Sequence, residues 1–381
     1  MIRTQLALLS DTRLADRSLP PQHSTSVSRF KYELCIVEDT QNWDQFKIID
    51  FKPKPVSDYD VDIKIAFCGV CGSDVHTITG GWGEPHLPLI PGHEIAGVVA
   101  NVGPKVTAFN IGDRVGVGAM VCSCMKCKFC EEDNEQYCPE SVWTYNAIYP
   151  DSKTLSQGGY ATAIRAHERF VFPIPEGMKL EDAAPMFCGG LTVFSPLVRN
   201  GAGPGKRVGI VGLGGLGHFA IQFAKALECD EVVLFTHSDH KKDDAMKLGA
   251  TGVVPTGEKD FERPLLGSLD LIVCTADVAS GIPLKELLST LTINGRFVMV
   301  GLPDEELPSV IARESFSNGC FFGASRTGSK KEVLEMMELA SEKGIKPWTE
   351  LLPMKECGKA VKGVKEGRIK YRYVLKQDID N

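Results

Sequence analysis

The chain has 381 residues, of which 43% are hydrophobic and 24% charged, a balance that excludes intrinsic disorder and makes a soluble protein of two domains the natural expectation. Its formal charge of -7 spreads 42 Lys and Arg against 49 Asp and Glu, which leaves no basic footprint for nucleic acid. No apolar run is long enough to cross a bilayer, so the expected partner is a small molecule and not a membrane. Thirteen cysteines could build a disulfide framework, but such frameworks belong to small secreted domains without a sufficient core. Several cysteines here crowd into one segment, while others, such as Cys274 after Leu271, Ile272 and Val273, sit singly in apolar runs. Metal-bound thiolates in a reducing cytoplasm are expected.

Residues 1–29 are dominated by Ser, Thr, Pro and Arg and read as a flexible extension. Arg3, Arg13 and Arg17 among Leu6, Leu8 and Leu9 resemble a mitochondrial presequence, against which Asp11 and Asp16 argue. A strand pattern opens at Phe30 to Val37, and from there to about Arg169 short strand-like runs alternate with Gly and Pro, including Asp60 to Phe67 and Ile95 to Val102. This stretch reads as β-rich with little helix. Near Gly189 the texture changes to longer apolar segments: Leu191 to Val198, a strand Val208 to Val211, a helix Gly215 to Leu227 and a strand Glu231 to Phe235. A helix Lys241 to Leu248, a strand Leu269 to Cys274, a helix Leu284 to Leu291 and a strand Arg296 to Val300 follow. Alternating strand and helix predicts a parallel, doubly wound sheet. An amphipathic helix over Lys330 to Lys343 then leads to a strand-like tail, Tyr371 to Leu375, expected to return to the first domain. The division that follows is a β-rich catalytic domain of residues 30–187 and 322–381 around an α/β nucleotide domain of residues 188–321.

Gly212-Leu213-Gly214-Gly215-Leu216-Gly217 follows the strand Val208 to Val211 directly and opens a helical pattern. The spacing is G-x-G-x-x-G in the context that gives it meaning: Gly212 for the tight turn, Gly214 for approach of backbone N–H groups to a pyrophosphate, and Gly217 for close helix packing. The second strand ends in Thr236-His237-Ser238-Asp239-His240-Lys241-Lys242 and not in the acid that would bind a ribose 2′-hydroxyl. Hydroxyls and cations suit a 2′-phosphate, so NADP(H) is expected, with Asp239 as the contrary sign.

Cys124, Cys127, Cys130 and Cys138 offer four thiolates at a spacing that can wrap one tetrahedral zinc ion with no open position, a structural site, with Cys122 left over. A second constellation is dispersed: Cys71 in Gly69-Val70-Cys71-Gly72-Ser73-Asp74, His93 in Pro91-Gly92-His93-Glu94, and Cys188 at the entry to the α/β region. Each alone reads equally as a buried core residue, and Cys68 rivals Cys71.

Gly92-His93-Glu94-Ile95-Ala96-Gly97, the thiolate quartet and the nucleotide loop together resemble the medium-chain zinc alcohol dehydrogenases, along nearly the whole chain after residue 30. Ser156-Gln157-Gly158-Gly159-Tyr160, Cys188-Gly189-Gly190-Leu191-Thr192 and Asn200-Gly201-Ala202-Gly203-Pro204-Gly205 are most similar to the NADP-dependent cinnamyl alcohol dehydrogenase branch. The resemblance implies a GroES-like catalytic domain beside a Rossmann domain, two zinc ions per chain and a homodimer. It also implies that Cys71, His93 and Cys188 hold a catalytic zinc, with Glu94 as a neighbouring carboxylate, and that Thr192 lies in the cofactor region. Thr236, His237, Ser238 and Lys241 would surround the 2′-phosphate, although histidine at 237 departs from the Ser or Arg common there. Ser73 would stand beside the substrate oxygen and His76, further out and linked through the cofactor ribose, would release the proton, while Trp82 and Trp143 would border the substrate. Asp74 is read as orienting a zinc-bound imidazole or, alternatively, as a turn cap. The expected reaction moves a hydride between NADP(H) and a primary alcohol or aldehyde, aromatic of the cinnamyl type or medium-chain aliphatic. An NAD-linked polyol dehydrogenase of the same superfamily and a non-enzymatic zinc and nucleotide-binding redox sensor are the alternatives.

Overall fold

The computed structural model describes residues 32–315 and 317–379, so the reading of residues 1–29 lies outside the described residues. Two sheets organise the chain. Six parallel strands lie side by side in the order Gly252–Pro255, Glu231–Thr236, Arg207–Val211, Leu269–Cys274, Leu291–Met299 and Phe321–Ala324. Ile210 pairs with Leu234 on one side and Val273 on the other, in strands whose apolar residues are buried on both faces, as a doubly wound sheet requires. The chain order reverses between Arg207–Val211 and Leu269–Cys274, the point at which such sheets open a ligand crevice.

Helix Gly217–Ala226 turns Phe219, Ala220, Phe223 and Ala224 into this core, and Phe194 of helix Gly189–Arg199 meets Phe223 edge-on at 5.3 Å. Helix Lys330–Lys343 begins on a capping box, in which Ser329 and Glu332 satisfy each other's backbone N–H, and ends on Gly344 in the left-handed conformation. Val333, Met336, Met337 and Ala340 of that helix join the same core. The boundary expected after residue 321 meets the edge of this sheet. It falls inside the strand Phe321–Ala324, whose pairing with Leu291–Met299 joins it and the helix behind it to the parallel sheet.

The second sheet orders Thr349–Pro353, Arg372–Lys376, Asp60–Gly69, Ile95–Val102, Arg114–Val117 and Val171–Pro173, with Ala163–His167 also paired to Asp60–Gly69. The tail does return here, Val374 lying opposite Gly69. Strand and helix periodicities located most elements to within a few residues, and Ile95–Val102 and Lys330–Lys343 coincide with the sequence reading. The stretch read as nearly helix-free contains one functional helix, Gly72–Ile78, whose short and polar sequence carries no apolar periodicity. Strand Leu291–Met299 starts five residues earlier than Arg296 because Asn294, at φ 62°, turns the chain inside an otherwise extended run. No helix among the described residues is long and apolar enough to cross a membrane.

Candidate active site

Three segments far apart in sequence meet at the end of strand Asp60–Gly69. Cys71 caps helix Gly72–Ile78, His93 lies just before strand Ile95–Val102, and Cys188 precedes helix Gly189–Arg199. Cys71 Sγ lies 3.9 Å from Cys188 Sγ, and His93 Nε2 lies 3.1 Å from Cys188 Sγ, with all three side chains buried. Cys68 is also buried but stands outside this cluster, its thiol facing the carbonyl of Gly69 at 3.5 Å. The cluster thus chooses Cys71 over its neighbour.

Asp74 organises the cluster. Its Oδ1 accepts from His93 Nδ1 at 2.9 Å and from Gly92 N at 3.1 Å, while Oδ2 accepts from Cys71 N at 3.0 Å and from Tyr160 Oη at 3.2 Å. Both sequence alternatives are present at once, since one carboxylate caps the helix and orients the imidazole. A carboxylate can only accept, so Nδ1 carries a proton and Nε2 is the ring nitrogen turned to the sulfurs.

Hydrogen bonding between the two thiols holds Cys71 well below its ordinary value and drives Cys188 well above it, a pair sharing one proton. Burial lowers the basicity of His93, but Asp74 and the Cys71 sulfur outweigh it and raise the ring well above its ordinary value. Glu94, wholly buried, accepts at Oε1 from Gly189 N at 3.2 Å and from the Arg372 guanidinium. Burial pushes Glu94 up to about 7, with Arg372 pulling the other way. Its Oε2 has no partner, and Gly69 makes room for it, since a Cβ there would lie 2.1 Å from that oxygen.

Two buried thiols and an imidazole with Nε2 turned toward them converge on one point, beside a carboxylate paired to Arg372. Soft sulfur with borderline nitrogen fits zinc. The four-cysteine segment fits as well. Its sulfurs are separated by 4.0 Å (Cys124–Cys130), 3.6 Å (Cys127–Cys130), 3.8 Å (Cys127–Cys138) and 3.5 Å (Cys138–Cys124). Sulfurs about 2.3 Å from a central tetrahedral ion lie about 3.75 Å apart, and a disulfide would bring two of them to about 2.05 Å. Cys122 stays outside, facing the carbonyl of Ser123.

Ser73 and His76 are three residues apart on helix Gly72–Ile78 and so share a face, with Ser73 Oγ 3.6 Å from Cys71 Sγ. His76 stacks on Trp82, which is 44% exposed, whereas Trp143, 38% exposed, lies under the Arg326 guanidinium at 5.6 Å.

In the nucleotide loop Gly212 has φ 90°, and a Cβ on Gly217 would lie 2.0 Å from the Gly212 carbonyl oxygen. Gly214 is open to space, and Leu213 and Leu216 flank it, the former buried. Lys241 Nζ donates to the carbonyl of Leu213 at 2.9 Å, so the cation after the second strand is tied to the glycine loop. Thr236 is half-buried, His237 exposed, and Ser238 bonds the ring of His240 at 2.6 Å, a histidine that motif reading passed over. Thr192 sits one turn into helix Gly189–Arg199, its N–H bonded to the Cys188 carbonyl.

Arg372 is the main omission of the sequence reading. It is buried, bonds Glu94 beside the ligand cluster, and its Nη1 lies 2.7 Å from where a Gly215 Cβ would stand. A single guanidinium therefore links the cysteine–histidine cluster to the nucleotide loop. The one available signal was a charge placed inside an apolar tail strand.

A family pattern described as the alcohol dehydrogenase GroES-like domain matches residues 57–176, and one described as zinc-binding dehydrogenase matches residues 215–342. NADP-dependent alcohol dehydrogenase 6 of Saccharomyces cerevisiae is 42% identical over 350 residues, 91% of this chain and 96% of the yeast protein. A cinnamyl alcohol dehydrogenase from Sorghum bicolor superposes with a TM-score of 0.86 at 33% identity, covering 91% of this chain and 98% of its own. The cinnamyl alcohol dehydrogenase of Helicobacter pylori, solved with NADP(H), superposes with a TM-score of 0.83 at 35% identity over 91% and 98% of the two chains. The chain belongs to the zinc-containing alcohol dehydrogenase family, on the cinnamyl alcohol dehydrogenase side of it.

Replacing Cys127 by Ser opens a closed four-sulfur cage that also organises its own loop. The variant is expected to lose one tightly bound zinc per chain and several kcal/mol of stability, with turnover per folded molecule preserved. Metal analysis with urea unfolding checks this, and an unchanged metal content would refute it.

Proposed function

We propose that the protein interconverts primary alcohols and aldehydes, aromatic of the cinnamyl type or medium-chain aliphatic, using NADP(H) and a catalytic zinc held by Cys71, His93 and Cys188. The observation that carries this reading is the buried three-donor cluster, joined to the nucleotide loop through Glu94 and Arg372. Zinc in such a site supplies Lewis acidity that favours alkoxide over alcohol and polarises an aldehyde carbonyl, and the nicotinamide gives or takes the hydride.

The chain's own residues hold that chemistry in place. Asp74 keeps His93 in the tautomer able to ligate. Ser73 takes the alcohol proton and His76 passes it to solvent, from adjacent turns of one helix. Glu94 stands by as a neighbouring carboxylate with one free oxygen. The loop Gly212 to Gly217 receives the pyrophosphate, Thr192 contributes to the cofactor region, and Thr236, His237, Ser238 and Lys241 surround the 2′-phosphate. Trp82 and Trp143 border the substrate, and Cys124, Cys127, Cys130 and Cys138 hold a second, structural zinc.

A cytoplasmic homodimer completes the reading. Thirteen free cysteines suit a reducing compartment. Strand Phe321–Ala324 is exposed throughout and paired on one edge, with Phe321, Phe322 and Ile293 open to solvent around it, an edge that a second copy would cover.

Cys188→Ser is expected to reduce turnover at least a thousandfold and to remove one zinc while the fold survives, measured with cinnamaldehyde, a branched aliphatic aldehyde and sorbitol, each with both cofactors. Normal turnover in this variant refutes the assignment, and turnover of sorbitol with NAD alone would favour a polyol dehydrogenase. Thr236→Asp places a carboxylate against the 2′-phosphate and is expected to shift the NADPH-to-NADH preference by more than tenfold toward NADH; unchanged selectivity would show the phosphate pocket to be elsewhere. Phe321→Glu is expected to halve the mass seen by light scattering, and a wild type already monomeric would dispose of the dimer.

A further inference from the structure

One contact ties helix Gly72–Ile78 to the loop that follows strand Leu291–Met299. His76 Nδ1 lies 2.7 Å from Asp304 Oδ1. Because a carboxylate only accepts, the ring donates at Nδ1 and its Nε2 is left as the basic atom. The ring lies flat on Trp82, with centroids 4.8 Å apart and planes 3° from parallel, and Trp82 Nε1 donates to the Leu302 carbonyl at 3.3 Å. Two residues of one loop thus hold both members of a stacked pair.

The opposing turn is built to admit this carboxylate. A Cβ on Gly81 would lie 2.5 Å from Asp304 Oδ2 and 2.9 Å from its other two carboxylate atoms. Gly81 N also donates to the His76 carbonyl at 2.9 Å, so one residue both closes the turn after the helix and leaves the opening that Asp304 fills. An exposed ion pair contributes little to stability, and Asp304 is 43% exposed. The arrangement does more for the ring's geometry than for the fold.

We propose that Asp304 is a positioning residue for the reaction, fixing His76 as the Nδ1–H tautomer so that Nε2 receives the proton relayed from Ser73. This rests on the reading of His76 as the group that releases the proton. In the oxidation direction the alcohol O–H bond breaks with its proton leaving by way of Ser73. The relay between Ser73 and His76 is completed by the cofactor ribose and not by a direct contact, and the imidazolium formed when His76 Nε2 takes the proton, balanced by Asp304, returns it to water. No further oxidant or co-reactant enters. The logic is that of a carboxylate orienting an imidazole from behind, here delivered by the nucleotide lobe to a helix of the other lobe.

The test follows the ring directly. In zinc-loaded protein labelled with 15N-histidine, with the His76 signals assigned by their loss in His76→Asn, long-range 1H–15N spectra report the tautomer without any turnover. Asp304→Ala is expected to move His76 to the Nε2–H form that a free imidazole favours and to lower kcat about tenfold with KM changed less than twofold. Asp304→Asn, whose side-chain oxygen still accepts from Nδ1, is expected to keep the tautomer and most of the rate. Gly81→Ala, which leaves residue 304 intact but displaces its carboxylate, should reproduce Asp304→Ala, and in a His76→Asn background Asp304→Ala should cost nothing more. A ring still protonated at Nδ1 in Asp304→Ala, or an equal loss of rate with and without His76, would overturn the proposal. Absence of aldehyde reduction by the wild type would instead defeat the functional reading, and the tautomer would still judge Asp304.

Discussion

Everything at the ligand cluster hangs on a carboxylate with no exposure to water. Asp74 accepts hydrogen bonds from two backbone N–H groups, an imidazole and a phenol, which are drawn from the Cys71 turn, the Gly92–His93 loop and the segment carrying Tyr160. Burying an unpaired carboxylate costs on the order of several kcal/mol, so the three segments are held to one another by the need to satisfy it. That need fixes the backbone on either side of two of the three cluster residues before any metal arrives. Preorganisation of this kind is what a site must have if a bound ion is to keep an unfilled position.

A second buried pair performs the equivalent task between lobes. Glu94 follows one cluster residue directly, bonds the residue after another through Gly189 N, and meets Arg372, which lies against Gly215. Both members are unfinished, with Glu94 Oε2 and Arg372 Nε lacking partners. Polar atoms left open at such depth are rare in folded proteins, and both belong to the one pair that runs from the residue after His93 to Gly215.

How far these features were legible in the sequence depends on whether their parts are contiguous. Cys124, Cys127, Cys130 and Cys138 lie within fifteen residues, and the loop Gly212 to Gly217 stands between a strand and a helix, so both announce themselves. Cys71, His93 and Cys188 are brought together only by the fold, and spacing alone left Cys68 in contention; it was the long motifs around them that pointed to the family. Arg372, Asp304 and Gly81 were missed because each acts through a partner more than ninety residues away, a distance that no local pattern spans. Strands Lys47–Phe51, Thr349–Pro353 and Phe321–Ala324 escaped for a different reason. They are largely exposed, so neither alternation nor an apolar run betrays them.

The placement of strand Arg372–Lys376 has a consequence for biogenesis. It sits between Thr349–Pro353 and Asp60–Gly69, in the interior of a sheet begun some three hundred residues earlier, and it carries the guanidinium that neutralises Glu94. Until that strand has been made, the first sheet has an open seam and the acid behind the cysteines lacks its guanidinium. The quartet of thiolates, complete by residue 138, can take its metal early. Cys71, His93 and Cys188 are all present by residue 188, yet the strand that closes the sheet beside them comes much later, so the two cysteine clusters reach their finished surroundings at different stages of folding.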